Sequence, residues 1–385
     1  MRTYLKKLGV VIVLLICSCV AYGSCALAND ISYDEQLLTV MSTNHTRNDF
    51  YSHPLYTIFH ISDDEVWYNF INDKGYGELA CLNSEGELIH MLTIDTLQRD
   101  EPTIQCMSRV GNHLMIGYQD NSSLKSEVII LDEALQEISR TSIDDVCFIM
   151  MVPSKNGILF AGYVEGQDET TNFCLSEIDE AGCIRFKQLE AYHTIAVEQR
   201  YISNSMICSD EDIHYAIVKI RMDDTLRSKE LLSCHNAMGE KLWEVELPSS
   251  FYTNSISAAN GYVYLIGSTG DQDENGCLIN QQASVKCYDQ SGSEQWQQVF
   301  PEMQELRFGV ANTQGCYAAS DIINNSVYAV YTQSTGATGL PTLVSLPEGT
   351  VFMSFSLSAF DSFVVYGKTL DSLFMDTILE QEVKH

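Results

Sequence analysis

A short turn that returns six times at nearly constant spacing constrains this chain more than any other feature. It is plainest in ASVKCYDQSGSEQWQQVF, residues 283–300, where an alternating run meets Asp289, then Gly292, then Trp296 early in a second alternating run. LLSCHNAMGEKLWEVEL, residues 231–247, repeats the order with Asn236, Gly239 and Trp243. Aligned on the glycine, the reference position falls at Gly86, Leu135, Gly182, Gly239, Gly292 and Gly336, with spacings of 49, 47, 57, 53 and 44. Three residues earlier stand Asn83, Asp132, Asp179, Asn236, Asp289 and Gln333. An Asp or Asn side chain starts such a turn by accepting backbone N–H groups, and Gly accepts the positive φ that follows. The motif is conformational: it reverses one strand into the next.

A second signal lies between these turns. Gly111-Asn112 precedes HLMIGY, Asn156-Gly157 precedes ILFAGY, and Asn260-Gly261 precedes YVYLIG. Asn-Gly between alternating runs is the strongest local mark of a tight hairpin. Four strands per unit of about 50 residues predict an all-β chain built as a β-propeller. Residues 29–385 then form one domain of seven four-stranded blades. The last unit, with FMSFSLSAF, SFVVYGKT and SLFMDTILEQ, supplies only three strands. The isolated run Gln36 to Met41 is expected to add the fourth and close the ring, because a closed ring leaves no long open edge.

The pattern D/N-x-x-G-x-x-x-W, as in Asp289 to Trp296 and Asn236 to Trp243, resembles the repeats of quinoprotein-like (PQQ-like) β-propellers. His90, Ser139 and Phe186 stand at the Trp position of the earlier units. WD40-like and kelch patterns fit less well, for the chain has no Trp-Asp dipeptide and no Gly-Gly. The resemblance implies the propeller and not the quinone enzyme, since one propeller scaffold hosts many unrelated activities.

The first 28 residues have the layout of a secretory signal peptide: Lys6 and Lys7, an apolar run from Val10 to Ile16, and Ala26-Leu27-Ala28 before Asn29. Ile16-Cys17-Ser18-Cys19 offers a second reading, a lipoprotein box in which Cys19 carries the lipid. Either reading predicts a protein that is secreted or held at the cell envelope. The formal charge is −30, and −33 once the three basic residues of that leader are set aside. Such a chain repels phosphate backbones, which excludes nucleic acid as a partner and favours cations. Cys81, Cys234 and Cys287 each stand five residues before the reference position. Equivalent places in separate blades cannot bridge, so these cysteines read as small buried apolar residues.

Candidates for chemistry are few. Asp271, Asp273 and Asn275 match D-x-D-x-N-G, the first half of a calcium loop, in the longest second-to-third-strand connection, residues 268–282. Ile279 and Gln282 stand where later ligands belong, so an acidic solvated turn competes with the Ca²⁺ reading. No other cofactor is expected. The Trp residues 67, 243 and 296 either form a sugar- or peptide-binding face or pack blade on blade, and the register of Trp243 and Trp296 favours packing. No G-x-S-x-G elbow is present and no catalytic residue is singled out. The expected role is therefore non-enzymatic: binding or scaffolding of a protein or extracellular ligand, with the 268–282 connection contributing. The alternative is a glycoside-active enzyme with two axial carboxylates roughly 5 to 10 Å apart.

Overall fold

The computed structural model describes most of residues 58–378; residues 1–57, 379–385 and loops such as 94–101, 193–205 and 222–227 lie outside the described residues. The signal segment, Cys19 and the run 36–41 are therefore among the undescribed positions. Six four-stranded antiparallel sheets follow one another, here called blades 1 to 6, over residues 58–93, 102–143, 147–192, 206–246, 251–300 and 308–345. In each, the strands lie in chain order, and the first strands of consecutive blades rest against one another, as in a propeller. The expectation of seven four-stranded blades is corrected to six. The C-terminal sheet, 352–378, has the three strands that the last unit supplies, and the run 36–41 expected to complete it as a seventh blade lies outside the described residues.

Period-2 alternation builds the core between blades. In the second strand of blade 5, Tyr262–Gln272, Val263 and Leu265 face blade 4 while Tyr264 and Ile266 face blade 6. Both faces of a middle strand are covered, so YVYLIG is continuously apolar; the fourth strands, on the outside, alternate exposed with half-buried positions, as in Lys241–Glu246.

The recurring turn forms as its residues demand. Asp289 Oδ1 accepts the N–H groups of Ser291 and Ser293 at 2.8 and 3.1 Å, and Gly292 N–H donates to Asp289 O at 3.0 Å. Gly182, Gly239, Gly292 and Gly336 have φ of 80, 72, 82 and 86°, and Leu135 adopts 58° without being glycine. The Gly86 turn lies outside the described residues. In blade 3, however, the hairpin turn is Lys155-Asn156, and Gly157 opens the second strand. A Cβ there would sit 1.9 Å from Ile178 O, so close backbone approach, not turn geometry, demands that glycine.

Trp243 and Trp296 fasten each blade to the next. The Trp243 indole donates to Gln290 O at 2.6 Å and lies on Gly292; Trp296 donates to Ser334 O at 2.9 Å and lies on Gly336. Phe186 covers Gly239 in the same way. Trp67, the one Trp outside the register of the turn, is fully buried in blade 1. Leu135 replaces glycine at the joint where His90 replaces Trp, and its side chain packs on the core between blades 1 and 2. A Cβ on Gly292 would lie 2.9 Å from the Trp243 ring at a φ that side chains disfavour. Gly292→Ala is accordingly expected to cost about 2 kcal/mol in urea denaturation. An unchanged midpoint would remove the turn from the account of blade docking.

Candidate functional site

The connection singled out in sequence does not form a loop along its whole length. The second strand of blade 5 runs to Gln272 and the third, Leu278–Asp289, starts early, so Asp271 pairs with Ile279 and Gln272 with Leu278 in a long hairpin. Alternating residues carried the ladder past the expected turn. This hairpin forms one wall of a cleft of about 430 Å³ at the end of the ring that holds the second-to-third-strand hairpins. The other walls are the entry to blade 5, linker and start of the first strand, and the linker entering blade 6. Gln272 and Gln281 line it from the hairpin, Tyr252 and Asn254 from the first strand of blade 5, Glu305 and Arg307 from the linker entering blade 6.

Hydrogen bonds set these walls. Gln272 Nε2 donates to Ser249 O at 2.7 Å, Thr269 Oγ1 to Ser250 O at 3.0 Å, and Asn254 Nδ2 to Leu306 O at 2.8 Å. Each bond ties a linker to its neighbour, so the cleft is preformed.

Beneath it lies a buried ion pair. Lys219 and Glu230 face each other across the second and third strands of blade 4, with side chains 3% and 5% exposed and 3.0 Å between Nζ and Oε1. Glu230 lines the cleft floor. Its Oε2 accepts Thr253 N–H at 3.1 Å; Oε1 meets Lys219 as a charge, without a well-directed hydrogen bond. Lys219 also donates to Thr253 O at 2.8 Å and sits 3.7 Å above the Tyr252 ring centroid. One face of Tyr252 is thus held from below by a cation, and the ring as a whole is 42% exposed. Sequence reasoning missed this pair. Its signal was parity: Lys219 follows Tyr215 and Ile217, and Glu230 precedes Leu232 and Cys234, all on the face turned to blade 5.

The sequence-based candidates are placed as follows. Asp271 lies in the hairpin ladder and accepts from Asn280 Nδ2 at 3.2 Å; Asp273 follows the strand end; Asn275 lies outside the described residues. Among the described residues no three His, Cys, Asp or Glu side chains gather as a metal site. The acidic turn 210–212 joins blades. Asp210 accepts Gly261 N–H at 2.7 Å, and Glu211 and Asp212 meet Lys155 of blade 3 at 2.9 and 3.1 Å. Eight described cysteines are unbridged, six of them buried; burial pushes the Cys234 and Cys287 thiols up to about 12, which keeps them protonated and inert.

No protein-family model matches the chain, and no curated protein matches it in sequence. Solved structures do match in fold. The β-propeller domain of the Trilobed protease from Pyrococcus furiosus, described as having an open velcro topology, superposes with a TM-score of 0.52 at 13% identity, over 86% of this chain and 96% of that one. An acylaminoacyl peptidase from Pyrococcus horikoshii gives 0.51 at 12% identity, over 92% of this chain and 54% of that one. A prolyl endopeptidase gives 0.51 at 11% identity, over 85% and 49%. The chain spans about half the length of these two peptidases. At such identities the likeness establishes the β-propeller and nothing about activity.

Proposed function

We propose that this chain is an exported, non-enzymatic binding protein that takes its ligand in the cleft above blades 4 to 6. The observation that carries the reading is the state of the cleft's two carboxylates. Glu230 is held by Lys219, and Glu305 forms an ion pair with Arg307, Oε1 to Nη2 at 2.8 Å. A glycosidase needs one carboxyl group free to donate a proton and another free to attack or to activate water. Here each is engaged by a cation of its own chain. A preformed concave site with an exposed aromatic, apolar stems and a few fixed polar groups instead suits ligand recognition. The N-terminal layout supports export with a mature chain starting at Asn29, or at a lipidated Cys19; N-terminal sequencing of the exported protein distinguishes them. The kinship proposed with quinoprotein-like repeats extends to the turn and its Trp, not to their chemistry.

A thermal-shift panel of oligosaccharides, peptides, amines and CaCl₂ tests the binding reading. At least one class is expected to raise the melting temperature, and Gln281→Trp, which crowds the cleft from an exposed hairpin position, is expected to abolish that rise. Turnover of chromogenic glycosides that disappears in Glu305→Gln would replace binding by catalysis. A response to CaCl₂ alone, lost in Asp271→Asn, would assign the ion to the hairpin.

A further inference from the structure

The polarity of the cleft, and not only its shape, selects a ligand. Three side-chain amides line it, and each is oriented by a backbone carbonyl: Asn254 Nδ2 by Leu306 O at 2.8 Å, Gln272 Nε2 by Ser249 O at 2.7 Å, Gln281 Nε2 by Leu278 O at 3.2 Å. A carbonyl only accepts, so flipping any of these amides would set oxygen against oxygen. Each therefore keeps its NH₂ on the wall and its oxygen for other partners. The floor is the Glu230 carboxylate, 5% exposed.

Charged donors are scarce by comparison, for the second N–H that each amide has to spare is neutral. Lys219 is engaged by Glu230, Thr253 O and the Tyr252 ring, and is itself 3% exposed. Arg307 is engaged by Glu305. The hydroxyls of Ser249, Ser268 and Tyr252 rotate to give or to accept and impose no sign. An anion entering here meets no cation that is not already paired, and it enters against the field of a chain whose net charge is −30. A group rich in N–H donors meets acceptors on the hairpin, on the first strand of blade 5 and on the floor.

Resting on the binding reading above, we propose that the cleft is a receptor for an organic cation, an ammonium or guanidinium group whose N–H donors meet these oxygens while its apolar stem lies along Tyr252 and Leu278. The Glu305–Arg307 pair at the rim then sets the affinity. With Glu305 present, Arg307 is neutralised and the cation is admitted; without it, Arg307 repels the ligand.

Isothermal titration at low salt decides the matter, with three probes: agmatine for a free amine, acetyl-Ala-Arg-Ala-amide for a basic peptide, and maltotriose as a neutral donor-rich control. Agmatine or the peptide is expected to bind, and to weaken as salt rises. Glu305→Gln is expected to weaken that binding about tenfold and Arg307→Ala to strengthen it by a similar factor, from one unit charge added or removed near the ligand. The two substitutions act in opposite directions, so loss of folding in one cannot imitate the result. Binding by the peptide alone makes a polypeptide the source of the cation; binding by agmatine alone makes it a free amine. Maltotriose binding that Gln281→Trp abolishes would leave the binding role intact and overturn the cation. Cation binding insensitive to both substitutions would assign it to the acidic surface at large and overturn the site. Silence of all three probes, with a ligand of another class found in the wider panel, would overturn the cation alone; an empty panel would overturn both readings.

Discussion

Replacing Lys219 by methionine is expected to destabilise the protein by about 3–5 kcal/mol, because it leaves the Glu230 carboxylate buried without its counter-charge. Both side chains are almost completely enclosed, at 3% and 5% exposure, so water cannot replace the lost partner without opening the cleft floor. Methionine matches the lysine stem in length and still packs under Tyr252, which isolates the charge from the volume. The second substitution makes the test specific. Glu230→Gln removes the orphaned charge and keeps an oxygen for Thr253 N–H, so Lys219→Met/Glu230→Gln is expected to regain at least half of the loss. Urea denaturation of the single and double variants measures both terms. A single variant within about 1 kcal/mol of the parent would mean that the pair is solvated and that the cleft has no such floor.

This pair also shows where sequence reasoning stops. The turn at Asp289, Gly292 and Trp296 was legible because each residue acts locally: a side chain caps its own turn, a glycine meets its own φ, and the next strand follows in register. Its recurrence then marked the four-stranded unit and the third-to-fourth-strand pairing, as in Cys287 opposite Trp296 and Cys234 opposite Trp243. The site is assembled differently. Residues 247–250 and 305–307 are linkers without periodicity, and Asn254, on the first strand of blade 5, meets the second of them only when blade 6 packs beside it. Lengthening of the blade 5 hairpin was visible in the repeat spacing. Its ladder was not, because Asp271 and Gln272 read as turn residues while their partners Ile279 and Leu278 lie beyond the Gly276 signal. The same limit bears on the blade count: spacing placed three strands in the last unit, but whether a distant run joins them is a matter of pairing in space, and the described sheet has those three alone. The same holds for the acidic turn 210–212, to which blades 5 and 3 bring Gly261 and Lys155.

Acidification from pH 6.5 to 4 is expected to remove about 3 kcal/mol of stability through His214 alone. The ring is fully buried between blades 3 and 4; its Nδ1 lies 3.0 Å from Ser209 Oγ, and its Nε2 has no hydrogen-bond partner. Burial, then the nearby His235 and Arg185, lowers its pKa from 6.5 to about 4, against a weaker opposing pull from Asp212. The folded pKa lies below the unfolded one, so above pH 6.5 both states are neutral and the stability is whole. As pH falls through that window the unfolded chain takes up a proton that the folded chain refuses, and stability is lost until the folded ring titrates near 4. His235, opposite His214 in the ladder, is lowered as well by its burial, so the slope exceeds that of a single proton. Carboxylates such as Glu65 and Asp289, whose folded pKa values are depressed, add their losses at lower pH, below their unfolded values. Urea denaturation across this range should therefore fall steeply in the parent and less steeply in His214→Gln; parallel curves would clear the histidine. The position of the ring says what acid opens. His214 lies 5.7 Å from the Phe186 ring, and Phe186 is the side chain seated on Gly239, so a charge placed on His214 pushes against the fastening of blade 3 to blade 4. Amide exchange at pH 5 should accordingly lose protection first along Met206–Asp210 and Ile184–Tyr192, the strands flanking that joint, while the joint built on Trp243 and Gly292 stays closed.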